Sequence, residues 1–151
     1  MELTEGAPAP DIQLQTDSCE PFSLSDHRGR KVVLYFYPRA STPGCTTEAC
    51  EFRDAGDELD VRGALVVGIS PDSTEAQARF KRAQHLRFPL LADVDKQAAQ
   101  AYGVWKEKNM YGKKFWGVER TTFVIDEDGR IAKIFRKVKP KGHAAEVLQT
   151  L

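Results

Sequence analysis

The 151-residue sequence has only three cysteines, Cys19, Cys45 and Cys50, and the last two stand five positions apart. So few, so unevenly placed, exclude the disulfide framework of a small secreted domain; in a reducing compartment a close pair points to catalysis or sensing. Net charge is also missing, since 22 Lys and Arg are matched by 22 Asp and Glu. With both signs interspersed, nothing pulls the chain toward nucleic acid or an anionic membrane, and neither is expected as a partner. No stretch approaches the roughly 20 apolar residues of a membrane span. The opening MELTEGAPAPD lacks the basic and apolar regions of a signal peptide. A soluble, cytoplasmic protein is the expectation. Repeats, linkers and low-complexity tracts are lacking too, so residues 1–151 are expected to form one domain.

What is present is organised around Lys31 to Cys50, KVVLYFYPRASTPGCTTEAC. Val32 to Tyr37 is apolar without alternation, as in a central strand buried on both faces. Pro38 ends it, having no N–H for a sheet ladder. Thr42-Pro43-Gly44-Cys45 then reads as a helix start, with Thr42 at the N-cap and Pro43 at the first helical position. Cys45 would lie in the first turn, where unpaired N–H groups and the helix dipole favour an anion, so a thiol there is expected to ionise more readily than a free one.

Along the rest of the chain, Ile12 and Leu14 alternate with polar residues up to a turn at Thr16-Asp17-Ser18, and Phe22 and Leu24 close a small hairpin. The helix from Thr42 continues through Ala49, Phe52 and Leu59, frays near Gly56 and stops before Gly63. Ala64 to Ser70 is a second buried strand, giving a parallel βαβ unit. Asp72 or Ser73 caps another helix, with Ala76, Phe80 and Ala83 on its inner face. Phe88 to Ala92 is extended, and Asp93 to Tyr102 is a short helix stopped by Gly103. Val104 to Glu119 reads as a long loop in which Trp105, Tyr111 and Trp116 pack. Arg120 to Asp126 and Arg130 to Arg136 flank a tight turn at Asp128-Gly129, and His143 to Leu151 forms a last helix. This order is that of an α/β thioredoxin-like fold, a central mixed β-sheet flanked by helices.

A thiol nucleophile must be ionised, and a free cysteine is only a few per cent thiolate at pH 7. Lowering a thiol pKa by roughly 2.5 units raises thiolate about 30-fold but cuts nucleophilicity roughly tenfold. Ionisation alone therefore gives a few-fold gain, and other groups must stabilise charge on the leaving atom. The Thr42 hydroxyl, three residues before Cys45, and an arginine are the candidate donors. Cys50 by itself reads equally as helix core or as a resolving thiol, and Cys19 lies in a polar turn with no assigned role. No metal site is expected, because Cys-x-x-x-x-Cys has no second ligand pair and His27, His85 and His143 are scattered, as surface or capping residues are.

The run from Pro38 through Thr42 to Cys45, within YFYPRASTPGCTTEAC, resembles the peroxiredoxin signature, and the Q-type subfamily, also called bacterioferritin comigratory protein, in particular. GAPAPDIQL, VVGISPDS, GVWKEKNMYGKKFWGVERTTFVIDEDG and VKPKGHAAEVL extend the resemblance over nearly the whole chain. It implies a peroxidase acting on hydrogen peroxide and organic hydroperoxides, with Cys45 as peroxidatic cysteine, Thr42 polarising the peroxide, Pro38 shielding against water and Arg120 as the cation beside the thiolate. Thr42, Gly44, Cys45 and Arg120 would contact the substrate, and Glu48 would hold the arginine. Cys50 would resolve the sulfenic acid as a disulfide, thioredoxin or a similar dithiol would reduce it, no cofactor would be needed, and the protein would be a monomer. A protein dithiol-disulfide oxidoreductase and a redox-sensing interaction module are the alternatives. A regular helix would set the Cα atoms of Cys45 and Cys50 about 8.7 Å apart and about 140° around its axis, beyond the roughly 7 Å that a disulfide spans without backbone movement. That disulfide would require Thr46 to Glu51 to unwind.

Overall fold

The computed structural model describes residues 3–151. In chain order, β1 (Gln13–Thr16) and β2 (Pro21–Ser23) form the expected hairpin, and β3 (Lys31–Phe36) is followed by α1 (Pro43–Asp54) and α2 (Gly56–Val61). Next come β4 (Ala64–Ser70), α3 (Thr74–Gln84), β5 (Leu90–Ala92) and α4 (Gln97–Ala101). The chain closes with β6 (Trp105–Met110), β7 (Lys113–Val118), β8 (Thr121–Ile125), β9 (Ile131–Phe135) and α5 (His143–Leu148). One sheet has the order β2-β1-β5-β4-β3-β8-β9. Within it β3, β4 and β5 are parallel, while β8 pairs antiparallel with β3.

β3 shows why its sequence is apolar without alternation. Successive strand side chains point to opposite faces. Val32, Leu34 and Phe36 enter one core with Ile69, Tyr102 and Phe123. Val33, Tyr35 and Tyr37 enter the other with Cys45, Phe52 and Phe80. Burying each such large side chain contributes about 1.5–3 kcal/mol, so a polar residue on either face would be costly. The residues of α1, α2, α3 and α5 pack on the second face, and those of α4 on the first.

Several expectations need correction. Residues 104–119 are not a loop but a β-hairpin, β6 with β7, paired from Trp105↔Val118 to Met110↔Lys113. Its two-residue turn, Tyr111-Gly112, has φ of 53° and 80°, the twist-matched geometry that hairpins favour. The lysine-rich composition hid the strands because this ribbon stands largely in solvent. Trp105 is half-buried and stacks on the exposed Trp116 with ring centroids 6.5 Å apart, whereas Tyr111 is fully exposed and does not pack as expected.

On α3, Ser73 rather than Asp72 caps, accepting from Ala76 N–H at 3.1 Å. Phe80 is buried, but Ala83 is exposed and Gln77 takes the inward place. Gln77 tolerates burial because its amide donates to the Leu91 carbonyl and Ser70 Oγ, both at 2.9 Å, and accepts from the Tyr37 hydroxyl. Helix α4 starts later than expected: Asp93 stays outside it and accepts from the N–H groups of Ala98 and Ala99 at 3.1 and 2.9 Å. His143 is neither a surface nor a capping residue. It is fully buried, with Nε2 2.7 Å from Thr122 Oγ1 and Nδ1 3.0 Å from Glu146 Oε1. Burial holds its pKa below the ordinary histidine value. His85 does cap α3 in a left-handed conformation, and His27 stacks on Phe22.

Candidate active site

The carboxyl ends of β3 and β4 carry the loops that build the site. Tyr37 makes the last ladder bond, donating to the Ile69 carbonyl at 2.9 Å, and half-buried Pro38 then turns the chain out of the sheet. The loop that follows is pinned by Asp72. Ala40 N–H donates to Asp72 Oδ2 at 2.7 Å, and Ser41 adopts φ of 65°. Thr42 holds the N-cap position with extended backbone, and its carbonyl accepts from Thr46 N–H at 2.9 Å. Its hydroxyl donates to the Arg39 carbonyl at 2.8 Å, which leaves its oxygen lone pairs free to accept.

Cys45 is in the first turn of α1 and 1% exposed. Arg120 reaches it from the other side of the chain. The β3–β8 register pairs Phe36 with Thr121, so Arg120, one residue earlier, lies level with the end of β3. Its Nη2 donates to Cys45 Sγ at 3.3 Å and its Nη1 to Glu48 Oε1 at 2.7 Å. A guanidinium forked between sulfur and carboxylate brings fixed positive charge against the sulfur. Gly44 makes room for it: a Cβ there would come within 3.2 Å of Arg120 Nη2.

Glu48 is 1% exposed. Burial pushes its pKa up to about 7, Arg120 pulls the other way and Glu51 adds to the rise. Burial opposes the charge on Arg120, but Glu48 and Cys45 hold its pKa above the ordinary arginine value. Glu48 Oε2 and the Tyr35 hydroxyl are buried without a hydrogen-bond partner among the described residues. Burial above all, with Glu48 nearby, holds the Tyr35 pKa well above its ordinary value. The ammonium of Lys108, on β6, is held below its ordinary pKa by burial and by Arg120, while Glu119 and Cys45 raise it. It is a second cation within electrostatic range of the site.

The structure thus brings Gly44, Cys45, Glu48 and Arg120 together, with Pro38 and Thr42 on the loop that leads into Cys45. Cys50 lies on the same helix but faces elsewhere: half-buried, it donates from Sγ to Gln84 Oε1 on α3 at 3.4 Å. Cys19 stands apart in an exposed turn, 3.6 Å from Thr74 Oγ1. Sequence reasoning missed the pinning of the loop by Asp72, whose position just past β4 is the available signal, since loops at the carboxyl ends of adjacent parallel strands converge. It also missed Lys108, concealed by the reading of residues 104–119 as a loop.

A mixed α/β sheet that holds a buried cysteine at a helix start beneath an arginine defines a thiol-dependent enzyme of the thioredoxin-like fold. The pattern of the AhpC/TSA family matches residues 6–134. Peroxiredoxin Bcp of Bacillus subtilis is 49% identical over 151 residues, covering 100% of this chain and 96% of that protein. Peroxiredoxin Bcp of Escherichia coli is 43% identical over 149 residues, covering 99% and 96%. Among solved structures, a cysteine-to-serine mutant of Xylella fastidiosa PrxQ superimposes with a TM-score of 0.93 at 36% identity, over 99% of this chain and 95% of that one. Xanthomonas campestris bacterioferritin comigratory protein gives 0.90 at 39%, over 97% and 96%. The chain belongs to the AhpC/TSA family and, within it, is a Q-type peroxiredoxin of the bacterioferritin comigratory group, a peroxidase.

Proposed function

We propose that Cys45 is the peroxidatic thiol of a two-cysteine cycle with Cys50, acting on hydrogen peroxide and organic hydroperoxides. The observation that carries this reading is the 3.3 Å contact of Arg120 Nη2 with Cys45 Sγ, braced by Glu48. A Xanthomonas relative described by its alkyl peroxide reduction activity supports the substrate class. The Cys45 thiolate attacks one peroxide oxygen, the O–O bond breaks, and the sulfur becomes a sulfenic acid while the departing alkoxide or hydroxide takes a proton from water. Thr42 accepts a hydrogen bond from the peroxide O–H, and Arg120 neutralises charge developing along the O–O bond. Pro38 and the packed loop keep water from the sulfur, and Gly44 leaves space for substrate beside Arg120.

Cys50 then displaces water from the sulfenic acid to form a disulfide, and thioredoxin or a similar dithiol reduces it by exchange. Regular helix from Pro43 to Asp54 keeps the two thiols apart, so residues 46–51 unwind in this step. Thr46 and Thr47 are weak helix formers, which lowers the cost. Stopped-flow mixing of reduced protein with hydrogen peroxide and then with thioredoxin tests the cycle. Rapid loss of one peroxide per protein and repeated turnover are expected; a Cys50→Ser variant that cycles normally would overturn the role of Cys50.

A further inference from the structure

The residues that would unwind are tied to the body of the protein in an uneven way. Phe52 is 1% exposed, stacked on Tyr35 with ring centroids 4.8 Å apart and packed against the His143 ring at 5.8 Å. Arg53 donates from Nη1 to the Gln84 carbonyl at 2.7 Å. From Phe52 onward, then, α1 is anchored. Before it, the side chain of Glu51 makes a cross-connection of another kind. Both of its carboxylate oxygens accept from Gly142 N–H, at 2.9 and 3.2 Å. Gly142 is the N-cap residue of α5, with a φ of 84°. The bond joins the last turn of the mobile stretch to a different part of the chain, 91 positions away.

We propose that Glu51 is a positioning residue for the second half of the catalytic cycle, a latch whose bond to Gly142 N–H keeps residues 46–51 helical and so sets how quickly Cys50 reaches the sulfenic acid on Cys45. This rests on the two-cysteine reading above. Two fates compete for the sulfenic acid. In one, Cys50 sulfur attacks it, the S–S bond forms and water leaves. In the other, a second peroxide oxidises it to sulfinic acid and is itself reduced to water or alcohol. Only the first needs the helix to open. A tighter latch lengthens the life of the sulfenic acid and favours the second; a looser one favours the disulfide. The contact is solvent-exposed and adds to the buried Glu48–Arg120 pair that opening the same stretch must also loosen; its own share is one charge-assisted hydrogen bond, a factor of about five to ten in the opening equilibrium.

The test titrates reduced wild type, Glu51→Ala and Glu51→Gln with hydrogen peroxide and counts disulfide and sulfinic acid by intact mass. Glu51→Ala is expected to need about five- to tenfold more peroxide for half-conversion to sulfinic acid. Glu51→Gln removes the charge but keeps an acceptor for Gly142 N–H, and is expected to fall between, which separates the latch from the influence of Glu51 on Glu48. Hydrogen exchange on the reduced proteins adds a readout that general destabilisation would not reproduce: Glu51→Ala should expose the amides of 46–50 while those of Phe52 and β3 stay protected. An unchanged or lower peroxide requirement in Glu51→Ala, or uniform loss of protection, overturns the latch. If wild type forms no Cys45–Cys50 disulfide at all, the two-cysteine reading itself fails.

Discussion

The first turn and the middle of α1 carry the two thiols under different rules. Around Cys45 everything is charged, buried and over-determined: Arg120 is held by Glu48, Gly44 yields space, and the preceding loop is tied to Asp72. Around Cys50 the direct partner is a neutral amide, Gln84, with Arg53 in electrostatic range and partial exposure. Preorganised charge is worth most where water is excluded and nothing must move. A thiol that has to travel gains nothing from such a cage, and a weak S–H bond to an amide lets it go. On the two-cysteine reading, one helix holds a fixed site and a displaceable one, separated by little more than a turn.

Breaking the fixed end should have the largest consequence. Cys45→Ser is expected to lower peroxide reduction by on the order of 10³-fold or more, since a serine hydroxyl stays un-ionised near neutral pH; turnover near wild type in a peroxide-consumption assay would refute the role of Cys45. Arg120→Met, which keeps bulk and removes the forked cation, should slow the peroxide step by about 10²-fold, the usual loss when a charge-stabilising donor is removed. Stopped-flow tryptophan fluorescence would measure it, and an unchanged rate would detach Arg120 from the chemistry. Gly44→Ala pushes a methyl group toward Arg120 Nη2, and a roughly tenfold slowing in the same assay is expected because a small misplacement of an oriented group is costly. If that variant matches wild type, the close approach of Arg120 is not what the site depends on.

Glu48 sharpens the same comparison through pH. Its pKa in the folded protein, about 7, lies above its ordinary 4.5, so the folded state keeps a proton that the unfolded chain releases in between. The stabilising contribution is fully present below pH 4.5 and is lost as pH rises through about 7. At roughly 1.4 kcal/mol per pKa unit, wild type should lose on the order of 3 kcal/mol across that window relative to Glu48→Gln. Urea unfolding of both proteins at several pH values would show it; parallel profiles would mean that Arg120 offsets the burial cost completely.

Much of this was legible from residue order. The apolar run ended by Pro38 and the Thr-Pro-Gly start of α1 are local signals, written in consecutive residues, and the strand and the helix start fall within a residue of where they were read, although the helix breaks at Ala55 into α1 and α2 instead of running on through Leu59. Arg120 was legible only through the family resemblance, because its place beside Cys45 depends on strand pairing 75 positions away. What was misread was decided by partners rather than periodicity. Gln77 displaced Ala83 from the inner face of α3 because three hydrogen bonds satisfied its amide. His143 went inside because Thr122 and Glu146 were there to meet both ring nitrogens. The β6–β7 hairpin escaped notice since Tyr-Gly is a less familiar hairpin turn than Asn-Gly, and since two exposed faces carry no alternation.

The antiparallel seam between β3 and β8 has a consequence for the life of the chain before it is finished. The arginine and its cysteine come together only when residues 32–36 pair with residues 121–125, a closure of high sequence separation whose entropy cost must be met before the contacts reward it. A chain emerging from the ribosome has its cysteine long before its arginine. Until the last fifth of the sequence is made and the sheet is zipped, the thiol lacks the guanidinium fixed against it. Synthesis order therefore brings the cation to the sulfur only once the molecule around it is complete.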